Sequence, residues 1–196
     1  MRGLPIVIAL TVLLLSYGCE VEDPVREDVP ELITKVTLTF SPSVGNTVVV
    51  TATDPDGEGV QDVQVDGAIK LETTKRYSLS LTLANGLVKP SDPGYDVTEE
   101  VASEADEHIF FFSWTNDIFS DPSGNGNMDN RADDINYQDE DINGLPLGLE
   151  TIWTAGAASS GEFRVVLKHQ PDLKSATSES GIGETDLDLT FTVNVE

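Results

Sequence analysis

The 196-residue chain is poor in the side chains that most often carry chemistry: one Cys, two His, two Trp, and 11 basic residues against 35 acidic ones. A single Cys excludes an internal disulfide, a multi-Cys zinc site and an iron–sulfur cluster held by this chain alone. A formal charge of −24 makes nucleic acid a poor partner, because a polyanion would meet charge of its own sign. No nucleophile elbow, phosphate-cradling Gly motif or H-E-x-x-H occurs. Gly181-Ile182-Gly183-Glu184 leads into a strand pattern rather than a helix, so it does not read as a dinucleotide loop. The expectation is one domain that is not an enzyme. Paired acids keep a carboxylate-dependent glycan hydrolase as an alternative, with Trp114 and Trp153 the only Trp side chains for a sugar platform.

What the chain does have begins with an address. Met1-Arg2 is a short positive head, residues 6–15 are an apolar run, and Ser16-Tyr17-Gly18-Cys19 is a small-residue exit, the layout of a secretory signal. The run is too short to span a bilayer, and no later stretch approaches the roughly 18 consecutive apolar residues a span needs. Gly18 before Cys19, with Leu15 and Ser16 upstream, resembles a bacterial lipobox, which implies that Cys19 is acylated and becomes the first residue after cleavage. The other reading is a simply cleaved secretory peptide. Residues 19–31 then form an acidic, Pro-containing tether without periodicity. An acidic stretch after an acylated Cys also resembles the surface-export signal of Bacteroidota lipoproteins; a spacer facing the periplasm is the alternative.

From residue 32 the pattern turns to short β-branched alternations broken by Gly, Pro, Asn and Asp. Strands are expected over 33–40, 47–53, 68–72, 77–83, 109–115, 151–154, 162–169 and 187–195. Only 98–107, entered through Asp96-Val97-Thr98-Glu99, suggests a short helix. The expected fold over 32–196 is therefore all-β, an antiparallel Ig-like sandwich of about 7–9 strands. Parity sets the inner face: Val36, Leu38 and Phe40; Phe163, Val165 and Leu167; Leu187, Leu189, Phe191, Val193 and Val195. Ile109-Phe110-Phe111-Phe112 is apolar on both faces, which is read first as a central strand and otherwise as a strand covered by a loop or one wall of a ligand site.

A long acidic loop holds Asp117, Asp121, Asp129, Asp133, Asp134, Asp139, Glu140 and Asp141, with Arg131 the only base. Such charge repels itself unless it is solvated or binds a cation. Asp139, Asp141, Asn143, Gly144 and Glu150 satisfy D-x-[DN]-x-[DN]-G-x5-E, in which alternate oxygens converge on calcium around a Gly turn. Asp121, Ser123, Asn125, Gly126 and Asp129 repeat its first half, and Asp54, Asp56, Glu58, Gly59 and Asp62 form a third partial copy. The flanks are not helical, so an EF-hand domain is rejected. Isolated calcium loops compete with the reading that Asp, Asn and Gly simply make turns.

The two histidines sit at the ends of expected strands. If the strands at 109–115 and 162–169 pair antiparallel, a register matching Trp114 with Phe163 places His108 opposite His169, both with inward parity and with β-carbons about 4.5–5.5 Å apart. Zinc or copper would suit such a pair, with Asp106, Glu107 or Asp172 adding oxygen. Alternatively each imidazole ends its strand by bonding backbone carbonyls.

Residues 32–40 (Leu-Ile-Thr-Lys-Val-Thr-Leu-Thr-Phe), the Asp54-Pro55-Asp56-Gly57 turn, residues 104–112 and Leu167-Lys168-His169-Gln170-Pro171-Asp172 together resemble a family of small Bacteroidota envelope lipoproteins. Some members carry a label of type 1 periplasmic-binding fold, whose two α/β lobes would need many helices. The resemblance implies an outer-membrane lipoprotein on the periplasmic or surface leaflet, in some cases associated with TonB-dependent receptors, and carries over no site residue. The functional expectation is a lipid-anchored binding module that captures a metal, metal complex or small nutrient. A calcium-stabilised structural or adhesive surface module is the alternative.

Overall fold

A computed structural model describes residues 31–57, 59–128 and 133–196. The signal segment, Cys19 and most of the tether lie outside these residues, as do Glu58 and Asp129 of the partial calcium motifs. Ten strands and one helix follow in the order β1 (Lys35–Pro42), β2 (Val48–Thr53), β3 (Gln64–Val65), β4 (Ile69–Leu71), β5 (Arg76–Ala84), α1 (Val97–Ser103), β6 (His108–Trp114), β7 (Phe119–Asp121), β8 (Glu150–Ala155), β9 (Ser159–His169) and β10 (Glu184–Val195). They form two facing sheets, β3-β2-β1-β5-β8-β7 and β4-β10-β9-β6. The fold is all-β and sandwich-like. Every pairing is antiparallel except that of β4 with β10, which is parallel. Each of the eight expected strands is present; β3 and β7, of two and three residues, add to the expected count because so short a bridge leaves no period in the sequence. Two α/β lobes are excluded by this architecture. Among the described residues no helix is long and apolar enough to cross a membrane.

Alternation places the core where parity put it. Phe40, Tyr77, Phe112, Phe119, Trp153, Phe163 and Phe191 are buried between the sheets. Phe163 sits at the centre, stacked on Phe112 at 5.8 Å and meeting Trp153 edge-on at 5.1 Å. Such contacts add about 0.5–1.5 kcal/mol each beyond area burial. Trp114 and Trp153 both lie in this core, 5.3 Å apart, so neither offers a surface platform for a sugar.

The first reading of the apolar run is corrected: β6 is an edge strand, not a central one. Its outward residues Ile109 and Phe111 form a separate small cluster with Val166 and Met128, the latter brought over by the loop after β7. That loop also closes the edge. The Asn127 amide donates to the Phe112 carbonyl at 2.9 Å, the Phe112 amide donates to Asn127 Oδ1 at 2.9 Å, and Trp114 N donates to Asn125 O at 3.1 Å. Gly126, with φ of +106°, is needed here because a β-carbon would strike the Phe112 carbonyl. A loop thus performs the two tasks, covering a face and pairing an edge, that a further strand would otherwise perform.

Candidate metal centre

β6 and β9 are neighbours and run antiparallel in the register His108↔His169 through Trp114↔Phe163, the one the sequence offered on the condition that these two strands pair. The two imidazoles are buried and stacked, with ring centroids 4.6 Å apart and planes 7° from parallel. They lie at the end of the sandwich where β6 begins, β9 ends and β10 starts.

Helix α1 determines what else arrives there. Asp96 caps it by accepting from the Glu99 amide at 3.2 Å. Buried Val97 and Val101 hold it to the core, while Thr98 Oγ1 donates to the Leu83 carbonyl and accepts from the Leu83 amide. The helix stops at Ser103, earlier than expected, and a turn closed by Glu107 N donating to Glu104 O delivers Glu104 and Glu107 beside the imidazoles. His108 Nδ1 donates to the Glu104 carbonyl at 3.1 Å, since a carbonyl can only accept. That bond sets the tautomer and leaves Nε2 aimed at the carboxylates, the arrangement usual for a metal-ligating imidazole.

Four carboxylates surround the pair. Glu31 Oε1 is 3.2 Å from His108 Nε2, at an alignment short of a hydrogen bond, and Asp186 Oδ2 is 3.8 Å from the same nitrogen. Glu107 Oε2 is 3.2 Å from His169 Nε2. Glu31, His108 and His169 each offer a ligand atom within 4.8 Å of the others, and so do Glu104, Glu107 and His169; among the described residues these are the two groups of three or more His, Asp or Glu that do so. Asp186 reaches the site through a bulge. The β10 register against β9 shifts between Thr185 and Leu187, and strict alternation from Asp188, which pairs outside with Arg164, would have put Asp186 on the outer face as well. The extra residue turns its side chain inward, where it is fully buried. Neither Asp186 oxygen, nor Glu31 Oε2, accepts a hydrogen bond among the described residues. Asp186 also borders a cavity of about 170 Å³ between β1 and β10, with Ile33, Thr34 and Leu187.

The protonation behaviour reflects this crowding. Burial, then repulsion from Glu31, pushes the Asp186 carboxyl up to about 6. Burial works to lower the His108 imidazole, but the contact and charge of Glu31, assisted by the Glu104 carbonyl and Asp186, hold it above its ordinary value. Burial likewise works to raise Glu31, and the neighbouring His108 outweighs it and keeps that carboxyl low.

Two expected ligands are corrected. Asp106 and Asp172 are exposed and belong to neither group; Asp172 takes a positive φ of 59° in the turn that follows β9. Of the oxygen donors named from the sequence, only Glu107 is at the site. Glu104 carried a local signal, lying one helical turn before His108. Glu31 and Asp186 carried none, the first being remote in the chain and the second depending on a bulge.

The acidic loop is arranged differently. Asp139 Oδ1 accepts from the Gly148 amide at 2.8 Å and Oδ2 from the Glu150 amide at 3.1 Å. Asp141 Oδ1 accepts from the Asn143 and Leu145 amides, and Oδ2 lies 3.0 Å from the buried ammonium of Lys174. Asp139, Asp141 and Glu150 do not bring an oxygen apiece within 4.8 Å of one another, and Asn143 is exposed. In the first-half repeat, Asp121 Oδ1 accepts from Asn136 Nδ2 at 3.1 Å; Ser123 and Asn125 are exposed, and the Asn125 amide donates to Asp133 at 2.7 Å. The Asp54 turn is an Asx turn, its Oδ1 accepting from the Asp56 and Gly57 amides. These carboxylates shape turns, and Asp141 is in addition paired with the buried ammonium of Lys174. No protein-family model, no curated protein and no solved structure matches the chain.

Proposed function

We propose that this protein is a lipid-anchored, non-enzymatic envelope module that binds a transition metal ion where His108 and His169 meet the surrounding carboxylates. The observation that carries the reading is a pair of buried imidazoles beside Asp186, neither of whose oxygens accepts a hydrogen bond among the described residues, and Glu31, one of whose oxygens accepts none there. Burying such groups without partners is costly, and a divalent cation removes that cost. The donor mixture of imidazole and carboxylate suits zinc, manganese or iron(II), and accommodates copper(II). Attachment through Cys19, in the outer membrane, and hand-over to a TonB-dependent receptor extend this reading from the lipobox and from the lipoprotein resemblance. The test is calorimetry on the full chain, purified in detergent and stripped of metal, titrated with Zn(II), Mn(II), Cu(II) and Ca(II). Saturable heat with a transition ion, lost in His108→Ala, is expected; absence of heat with every transition ion overturns the reading. Mass spectrometry of the purified protein tests the anchor, with an unmodified Cys19 thiol as the contrary result.

A further inference from the structure

We infer that this end of the sandwich is a two-cation centre, seating one divalent first-row metal ion on each imidazole: His108 with Glu31 and Asp186, and His169 with Glu107 and Glu104. The inference rests on the metal-binding reading above and deepens it from one ion to two.

The rings argue it first. An imidazole lone pair lies in the plane of its ring, so two rings 4.6 Å apart and 7° from parallel direct their lone pairs side by side rather than at one point. A single ion ligated by both would require one buried ring to rotate out of the stack. Two ions, one per ring, accept the rings as they stand. The carboxylates divide in the same way: Glu31 and Asp186 lie 3.2 and 3.8 Å from His108 Nε2, whereas Glu107 lies 3.2 Å from His169 Nε2 with Glu104 in the same group.

Charge argues it next. Four carboxylates around two imidazoles are a donor set whose charge a single divalent ion leaves half compensated. The same set, four carboxylates and two His, holds paired iron or manganese in carboxylate-bridged proteins of unrelated helical fold. Asp186 is the decisive side chain. It is buried, accepts no hydrogen bond among the described residues and lies 3.8 Å from His108 Nε2; it stands outside the Glu31, His108 and His169 group, and an ion on His108 would draw its oxygen in as a third donor. The Glu107 side chain is 40% exposed, so the second position opens toward solvent and can be loaded from it. Hard and borderline ions, Mn(II), Fe(II) and Zn(II), fit so carboxylate-rich a set better than Cu(I).

The experiment is a Mn(II) and Zn(II) titration of the metal-stripped full chain in detergent, with electron paramagnetic resonance of the manganese form. Two equivalents per chain are expected, with the sextet of isolated Mn(II) broadened or lost through coupling between neighbouring ions. In Glu104→Gln/Glu107→Gln the stoichiometry should fall to one and the uncoupled sextet should return. One equivalent in the wild-type chain overturns the two-cation centre and leaves the metal-binding reading standing, whereas none overturns both. Two equivalents with uncoupled spectra also overturn it, since the ions would then occupy separate places. If the double variant loses its strand circular dichroism, the wild-type stoichiometry and spectrum decide.

Discussion

The carboxylates of the 139–150 turn and those around the two histidines differ in what satisfies them. In the turn, Asp139 and Asp141 accept backbone amides, and Asp141 adds a buried ion pair with Lys174. Around the histidines, Asp186 and one oxygen of Glu31 are buried with no donor among the described residues. The turn carries the better motif and the cluster the better site. A motif records residue types and spacings, but a cation needs oxygens that the protein has not already used. An Asp that shapes a loop through its own backbone amides is spent in doing so.

The sharpest way to break this comparison is Lys174→Met. Burial lowers the Lys174 pKa, Asp141 partly restores it, and the ammonium also donates to the Ala105 carbonyl. Removing it leaves Asp141 charged and buried, and a loss of about 3–5 kcal/mol is expected in denaturant unfolding. A loss below about 1 kcal/mol would mean that the turn has spare donors and that its oxygens remain open to calcium.

Metal should separate the two regions next. A transition ion at a free concentration 100-fold above its Kd should stabilise the protein by about 2.7 kcal/mol, a rise in Tm of roughly 5–10 °C for a domain of this size. Excess calcium should leave Tm unchanged. A calcium-dependent rise that Asp139→Asn abolishes would restore the calcium reading of the turn.

A third expectation follows from pH. The Asp186 carboxyl sits at about 6 against an ordinary 3.8, so between those values the folded chain binds a proton the unfolded chain has released. Metal-free stability therefore falls as pH rises through that interval and stays lower above it. His108, raised above 6.5, acts in the same direction, its contribution fading as pH climbs through the folded value. Asp186→Asn cannot ionise. It should match the wild-type protein near pH 4 and exceed it above pH 6 by on the order of 2–3 kcal/mol without metal, while weakening metal binding. Thermal melts across pH, with and without Zn(II), check both signs; equal stability at high pH would show that Asp186 is solvated. The smallest effect is expected at Arg164→Ala, which removes the half-exposed pair with Asp188 on the outer face of β9 and β10 and should cost less than about 1 kcal/mol.

Much of the molecule was legible because strands advertise themselves by alternation. Val36-Thr37-Leu38-Thr39-Phe40 and Leu187 through Val195 read inside and outside without ambiguity, and in an antiparallel pair the sum of partner numbers is constant, so Trp114 opposite Phe163 entails His108 opposite His169. The run at 109–112 misled because burial on the outer face comes from Met128 in a loop, and period-two patterns cannot distinguish a covering loop from a second sheet. Asp106 and Asp172 are near the histidines in sequence, but both lie outside the strands, in the turns before β6 and after β9, where alternation does not fix the direction of a side chain.

Composition and periodicity by themselves determined eight of the ten strands, the inner face and the helix entry at Asp96, because each follows from local geometry repeated along one segment. Tertiary structure alone decided that β6 and β9 are neighbours and which carboxylates surround the two histidines. Glu31 enters from before β1, and Asp186 is turned inward by one extra residue in β10. A bulge shifts parity by a single step without changing composition, and distant segments meet only when two sheets close on each other, so neither event leaves a trace in a reading confined to one stretch of chain.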